Sequence, residues 1–374
     1  MIGANIPAPP AAAGVSGSTG SVDNAILRAD GTGGTILQNS GIVIDDATTS
    51  TQNNVAITNQ HSGQTNSSLV LTPKGTGALI AGPRPDGTST GGNARGNYAV
   101  DLQLQRSAAT QVAGGLNAVI LAGLNNTASG SYSVAGGTTC IASNFACVAI
   151  GQYMSATGPA AVSVGGFLGQ AQGSYSTVIG GQSNISSGSN SGIFSSDNST
   201  ASGSTGVVLG GSNSRASNTN SAAFGVNALS DRRAMQAYSA GQFSAQGDAQ
   251  RARFVLRNKT TTNSAVELSL DGSATRLTIP SGKVLALTIN ITGISSTGAA
   301  VAHYLRQYAL KNVSGTTSEV YAPITIGTDN AAGTSIALSA SDAADALVVS
   351  VTGTTSTIWR WVASVDAVEI AFGT

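Results

Sequence analysis

The chain has 374 residues, of which 9% are charged and 48 are glycine, and its formal net charge is zero. A charged fraction so far below the roughly 25% of ordinary soluble domains argues against the surface of a typical cytosolic enzyme, while zero net charge with 41% hydrophobic residues argues against disorder. The neutral balance, with no basic run longer than Arg232-Arg233, also excludes the broad positive field of a nucleic-acid binder.

Residues 1–22 open with "MIGANIPAPPAAAGVSGSTG", which has no basic segment ahead of an apolar one, so a signal peptide is not expected. This stretch reads as a flexible arm or attachment segment. No apolar run reaches the ~18 residues of a spanning helix. Residues 23–116 carry short alternating stretches separated by Gly and Asp-Gly turns, which predicts a β-rich shaft.

Residues 117–231 repeat with a period of about fifteen. Gly158, Gly173, Gly188 and Gly203 form one column, continued by Asn218, the other residue that tolerates left-handed backbone angles. Gly165, Gly180, Gly210 and Gly225 form a second, with Ser195 in the missing place. Just ahead of it runs an unbroken apolar column of Val164, Ile179, Phe194, Leu209 and Phe224, and seven positions on a small-residue column of Ala171, Ser186, Ala201 and Ala216. Strand, turn, strand, turn in each unit predicts a parallel β-solenoid with Ile179 and its equivalents facing the core. So thin a rung cannot offset the entropy of ordering it, at about 1 kcal/mol or more per residue. Burial between identical chains is therefore expected, with a homotrimer the simplest closed arrangement.

Residues 232–251 read as a neck and 252–374 as a compact domain in which charge and long alternation return. "KVLALTINITGI" puts Leu285, Leu287, Ile289 and Ile291 on one strand face, and nine strand candidates predict an antiparallel β-sandwich. Trp359 and Trp361 share a strand face and are assigned to its core.

Catalytic chemistry is not expected. Glycoside hydrolysis needs two carboxylates about 5 to 10 Å apart, and the repeats hold a single acid, Asp197. Asp45-Asp46 reads as a solvated turn because neighbours on a strand point to opposite faces, and Asp342 and Asp345 as a turn or short helical start. His61 and His303 suggest no triad, and "LTPKGTG" lacks the spacing of a phosphate loop. Cys140 and Cys147, without nearby His or Cys, do not form a zinc pattern and read as small buried hydrophobes. No cofactor, metal or catalytic residue is assigned. Aromatic rings are the usual platform for sugar faces; among Tyr98, Tyr132, Phe145, Tyr153, Phe167, Tyr175 and the rings of the terminal domain, Tyr304 and Tyr308 are expected to be exposed and to contact a receptor.

"VAIGQYMSATG", "TVIGGQSNISSG" and "VVLGGSNSRASN" resemble the head repeats of trimeric autotransporter adhesins, whose left-handed parallel β-rolls associate as trimers. Residues 23–46, 68–115, 232–258 and 359–370 resemble segments of tailed-phage tail fibres. These resemblances imply an all-β, elongated homotrimeric fibre of a phage virion, non-enzymatic, joined to other tail or baseplate proteins through its N-terminal region and binding a host surface glycan or outer-membrane receptor. A capsule depolymerase tailspike and a head-decorating fibre of the same architecture are the alternatives.

Overall fold

A computed structural model describes residues 25–30, 36–45, 56–59 and 70–372. The chain divides into two units, Met1–Thr72 and Pro73–Thr374. In the first, strands Ala25–Asp30, Ile36–Asp45 and Ala56–Asn59 form an antiparallel sheet in sequence order. The arm assigned to residues 1–22, His61 and Asp46 lie outside the described residues.

The second unit begins as a parallel β-solenoid. One side is part of a 16-stranded sheet that climbs from Leu79–Ile80 and Val100–Asp101 through Val119–Leu124 to Gln236–Ala240. The other side is an 8-stranded sheet of two-residue strands, from Thr127–Ala128 to Leu229–Ser230. From Val119 onward each strand pairs in parallel with its equivalent about fifteen residues away, as Val178 does with Ile193 and Ile193 with Val208.

The stack is longer than the repeat pattern indicates. Residues 79–116, read as shaft, supply its first rungs, and Gln236–Ala240, read as neck, is its last parallel strand. The period is hidden at the start because the step from Val100 to Val119 is longer than fifteen residues. The extra chain holds a buried cluster in which Asp101 accepts from Arg95 at 2.7 Å and faces Arg106 at 3.7 Å.

The core column also differs from expectation, by one residue. Ser163, Val178, Ile193, Val208 and Ala223 point inward and are fully buried, opposed across the solenoid by Ala171, Ser186, Ala201 and Ala216. Ile179, Phe194 and Leu209 point outward and are 44%, 37% and 43% exposed. Successive residues of a strand face opposite sides, so a slip of one position exchanges core for surface. Both columns keep the same period, and the outer one carries the larger side chains, which is why size alone misassigns it.

The two glycine columns have different physical causes. Gly180 sits at φ +72 in a left-handed turn, and Ser195 adopts φ 50 in the equivalent place. Gly173 is not left-handed; a Cβ there would meet the carbonyl oxygen of Gly188, one rung on, at 2.1 Å. This first column is therefore set by close backbone stacking, and not by the left-handed angles inferred for it.

The large sheet does not stop where the solenoid ends. Gln236–Ala240 pairs antiparallel with Ala249–Thr260, which continues to Trp359–Ala371, Lys283–Ser295, Val301–Val313 and Thr316–Thr325. A 4-stranded sheet built around Ala346–Thr352 covers one face and completes the expected antiparallel sandwich. Leu285, Leu287, Ile289 and Ile291 face its core, as their alternation predicts. Trp359 and Trp361 are buried and stacked at 5.6 Å, with Gly293 beneath the Trp361 ring, where a Cβ would come within 2.4 Å. One buried cluster runs unbroken from Ile193 and Val208 to Trp361.

At the junction Glu369 is fully buried. It pairs with Arg232 of the last turn, accepts from Gln250 Nε2 at 2.5 Å and lies 3.8 Å from Lys283 Nζ. Two cations and an amide thus share one carboxylate, and they join the solenoid to three strands of the sandwich.

Candidate functional site

Tyr304 and Tyr308, expected to be exposed, are buried at 3% and 0%. They stand four residues apart on Val301–Val313 and so share its inward face. Tyr304 Oη lies 2.7 Å from Thr334 Oγ1, and Tyr308 Oη donates to Glu319 Oε1 at 2.6 Å. Burial, with the Glu319 carboxylate, pushes the Tyr308 phenol well above its usual range. Neither ring offers a free face to a receptor.

The acids and thiols are likewise accounted for. Asp342 accepts from the Thr317 amide at 2.7 Å and Asp345 from the Thr317 hydroxyl at 2.8 Å, which fixes a turn. Asp197 accepts from the Gln182 amide one rung away at 2.9 Å. Cys140 and Cys147 are buried within the solenoid, where they donate to the carbonyls of Gly151 at 3.2 Å and Asn144 at 2.9 Å. Burial raises both thiols above the usual range, which disfavours the reactive thiolate. Among the described residues no three His, Cys, Asp or Glu side chains come together as metal ligands do.

What the surface offers instead is three apolar features. The first is the outward column Val164, Ile179, Phe194, Leu209 and Phe224, which Tyr238 extends by one strand. It forms a continuous apolar stripe on the large sheet.

The second feature is where that stripe meets the sandwich. Phe224, Gln236, Tyr238, Arg251 and Arg253 line a groove of about 360 Å³. Arg251 Nε donates to Asp366 at 2.7 Å, and Arg253 Nε lies 3.4 Å from the same carboxylate. The Arg251 hydrogen bond, assisted by its charge, holds the Asp366 carboxyl below the ordinary range against desolvation. A lone carboxylate tied to two guanidiniums is suited to charge pairing, not to proton transfer. These residues were not singled out from the sequence; the alternation of Arg251, Arg253 and Val255 on one strand face was the signal available.

The third feature is a turn edge of the solenoid. Tyr98, Tyr132 and Tyr175 occupy one left-handed column at φ 57, 60 and 58, and Phe145 packs edge-on against Tyr132 with ring centroids 5.6 Å apart. Tyr153 and Phe167 make a similar pair on the other turn edge.

No family model and no curated protein matches this chain. Among solved structures, the crystal structure of tailspike protein gp49 from Acinetobacter baumannii bacteriophage Fri1, a capsular polysaccharide depolymerase, aligns with 79% of this chain at 13% identity and a TM-score of 0.26. This chain matches 52% of the length of that protein. A likeness at that score supports no transfer of activity, and the functional reading rests on the surfaces described above.

Proposed function

We propose that this chain is a homotrimeric fibre of a phage virion that attaches the particle to its host without cleaving the receptor. The observation that carries the reading is the outward apolar stripe from Val164 to Tyr238. Adjacent exposed apolar side chains on rung after rung are unusual for a chain that stays alone, and a stripe parallel to the solenoid axis is a surface that identical chains can share about that axis. The inner columns of alanine, serine and valine bury little area per rung, so self-association supplies what they lack.

The virion placement rests on the tail-fibre resemblance of residues 68–115 and 232–258. Other tail or baseplate proteins are the partners proposed for the N-terminal region, and a host surface glycan or outer-membrane receptor for the rest. Several weak contacts per fibre, multiplied over fibres, would give the avidity that attachment needs. The non-enzymatic reading is supported by the solenoid's acids. Asp197 is the single carboxylate between Asp101 and Asp231, and it is committed to the Gln182 amide.

Sedimentation of the purified chain tests the assembly: a trimer is expected, and a stable monomer overturns it. Ile179→Asp with Leu209→Asp should dissociate the trimer. Competition between the purified chain and virions for host cells tests attachment. Release of reducing ends from host polysaccharide would replace the adhesive reading with a depolymerase, and immunogold label on the head would replace a tail position with a decorating one.

A further inference from the structure

We infer that the turn edge carrying Tyr98, Leu116, Tyr132, Phe145, Pro159 and Tyr175 is a binding ladder for an uncharged polysaccharide lying along the solenoid axis; this rests on the attachment reading above and locates its ligand. These residues stand on six successive rungs of one edge, linked by main-chain hydrogen bonds from Tyr132 to Leu116 at 2.7 Å, Ala160 to Phe145 at 2.8 Å and Tyr175 to Pro159 at 2.8 Å. All six are solvent-exposed, Tyr98, Tyr132, Phe145 and Tyr175 by more than half. Beyond Tyr175 the same edge changes character. Ser189-Asn190, Ser204-Thr205 and Thr219-Asn220 replace the rings, and Thr205 and Asn220 hydrogen-bond along it.

The backbone makes these tyrosines informative. The left-handed region is costly for a bulky L residue and most tolerable for asparagine, which stands in the column at Asn117, Asn190 and Asn220, with the smaller Ala146, Ala160 and Thr205 on other rungs. Folding alone would favour asparagine at each position. Tyrosine at Tyr98, Tyr132 and Tyr175 strains the turn and leaves about half or more of its surface in solvent, so the return on that strain lies largely in what the exposed ring meets. A phenol ring offers an apolar face with a hydroxyl at its tip, which suits the alternating C–H faces and hydroxyls of a sugar.

Charge and spacing identify the occupant. No Asp, Glu, Lys, Arg or His stands between Arg106 and Asp197, so the middle and upper part of the edge has no ion pair to offer an acidic or basic polymer. Rungs rise about 4.8 Å each, comparable to the advance of one pyranose along an extended glycan. A neutral polysaccharide can therefore repeat its contacts in step with the rungs.

The test is affinity electrophoresis of the full chain in gels cast with the neutral polysaccharide fraction of cells to which it adheres, and separately with alginate as an acidic polymer. The wild type should be retarded by the neutral polymer. Tyr132→Asn with Tyr175→Asn should bind at least tenfold more weakly while melting no lower, since asparagine relieves the turn; Asn190→Ala should bind as the wild type does. Equal retardation of the double variant, retardation by alginate alone, or no retardation of the wild type overturns the ladder. So does a double variant that loses its oligomeric state, because the edge would then meet another copy of the chain. If wild type and double variant block virion adsorption equally, attachment stands and the ladder falls. If the wild type blocks none, the attachment reading fails first.

Discussion

The solenoid and the sandwich share one sheet but are held together by different means. In the solenoid the interior is filled by alanine, serine, valine and occasional isoleucine, repeated until the sum suffices. In the sandwich a few large side chains, Phe254, Tyr308, Trp359 and Trp361 among them, fill the space between two sheets. The first is a design of many equal small terms, and the second concentrates its stability in a few sites. Single substitutions should therefore act unevenly along the chain, and that difference can be tested in order of size.

The largest effect is expected from Trp361→Ala. It removes a ring stacked on Trp359 and seated over Gly293, and should cost about 3–5 kcal/mol, read as a lower denaturant midpoint by tryptophan fluorescence. Glu369→Gln comes next. It leaves Arg232 and Lys283 without their shared anion, at about 3 kcal/mol or more for a broken buried pair. Because the cluster spans the junction, solenoid and sandwich should then unfold at separate midpoints by circular dichroism and fluorescence. If the two regions already unfold separately in the wild type, the coupling argued for the junction is wrong.

Val178→Ala against Ile179→Ala sharpens the contrast within a single rung. The inward change should cost about 1–2 kcal/mol, since it deletes buried methyl groups. The outward change should leave the chain's own melting near wild type and weaken its self-association. Reversed outcomes would return Ile179 to the core.

The smallest effect is expected at Asp366. Arg251 lowers its folded pKa, so its contribution is present above the unfolded value of about 3.9 and is lost as pH falls through the lowered folded value. Asp366→Asn should cost under about 1 kcal/mol at neutral pH, as a partly exposed pair does. The gap between variant and wild type should close below about pH 4 in acid titrations followed by circular dichroism.

The repeat, the parallel solenoid and the terminal sandwich were all legible in the sequence, because period and alternation are properties of the chain itself. Strand face was not. Ser163, Val178 and Ala223 alternate in size, whereas Val164, Ile179 and Phe224 are uniformly large, and hydrophobicity without register picks the wrong neighbour. Tyr304 and Tyr308 illustrate the same difficulty: their i, i+4 spacing places both rings on one strand face but cannot say which face is covered. The aromatic rings of the repeats were visible as a list. Their alignment on one edge, and the left-handed angles that make three of them costly, emerge only when the rungs are stacked.

Because Val178 pairs with Ile193 and Ile193 with Val208 at a constant step, one rung is an interchangeable unit of inheritance. Removing fifteen codons between equivalent positions would join like to like and leave the junction with the sandwich untouched. Length can thus change by recombination between repeats, in increments of a single rung. The polar and aromatic stretches of the turn edge could then be lengthened or shortened independently, and a lineage could adjust its reach and its grip without inventing a new fold.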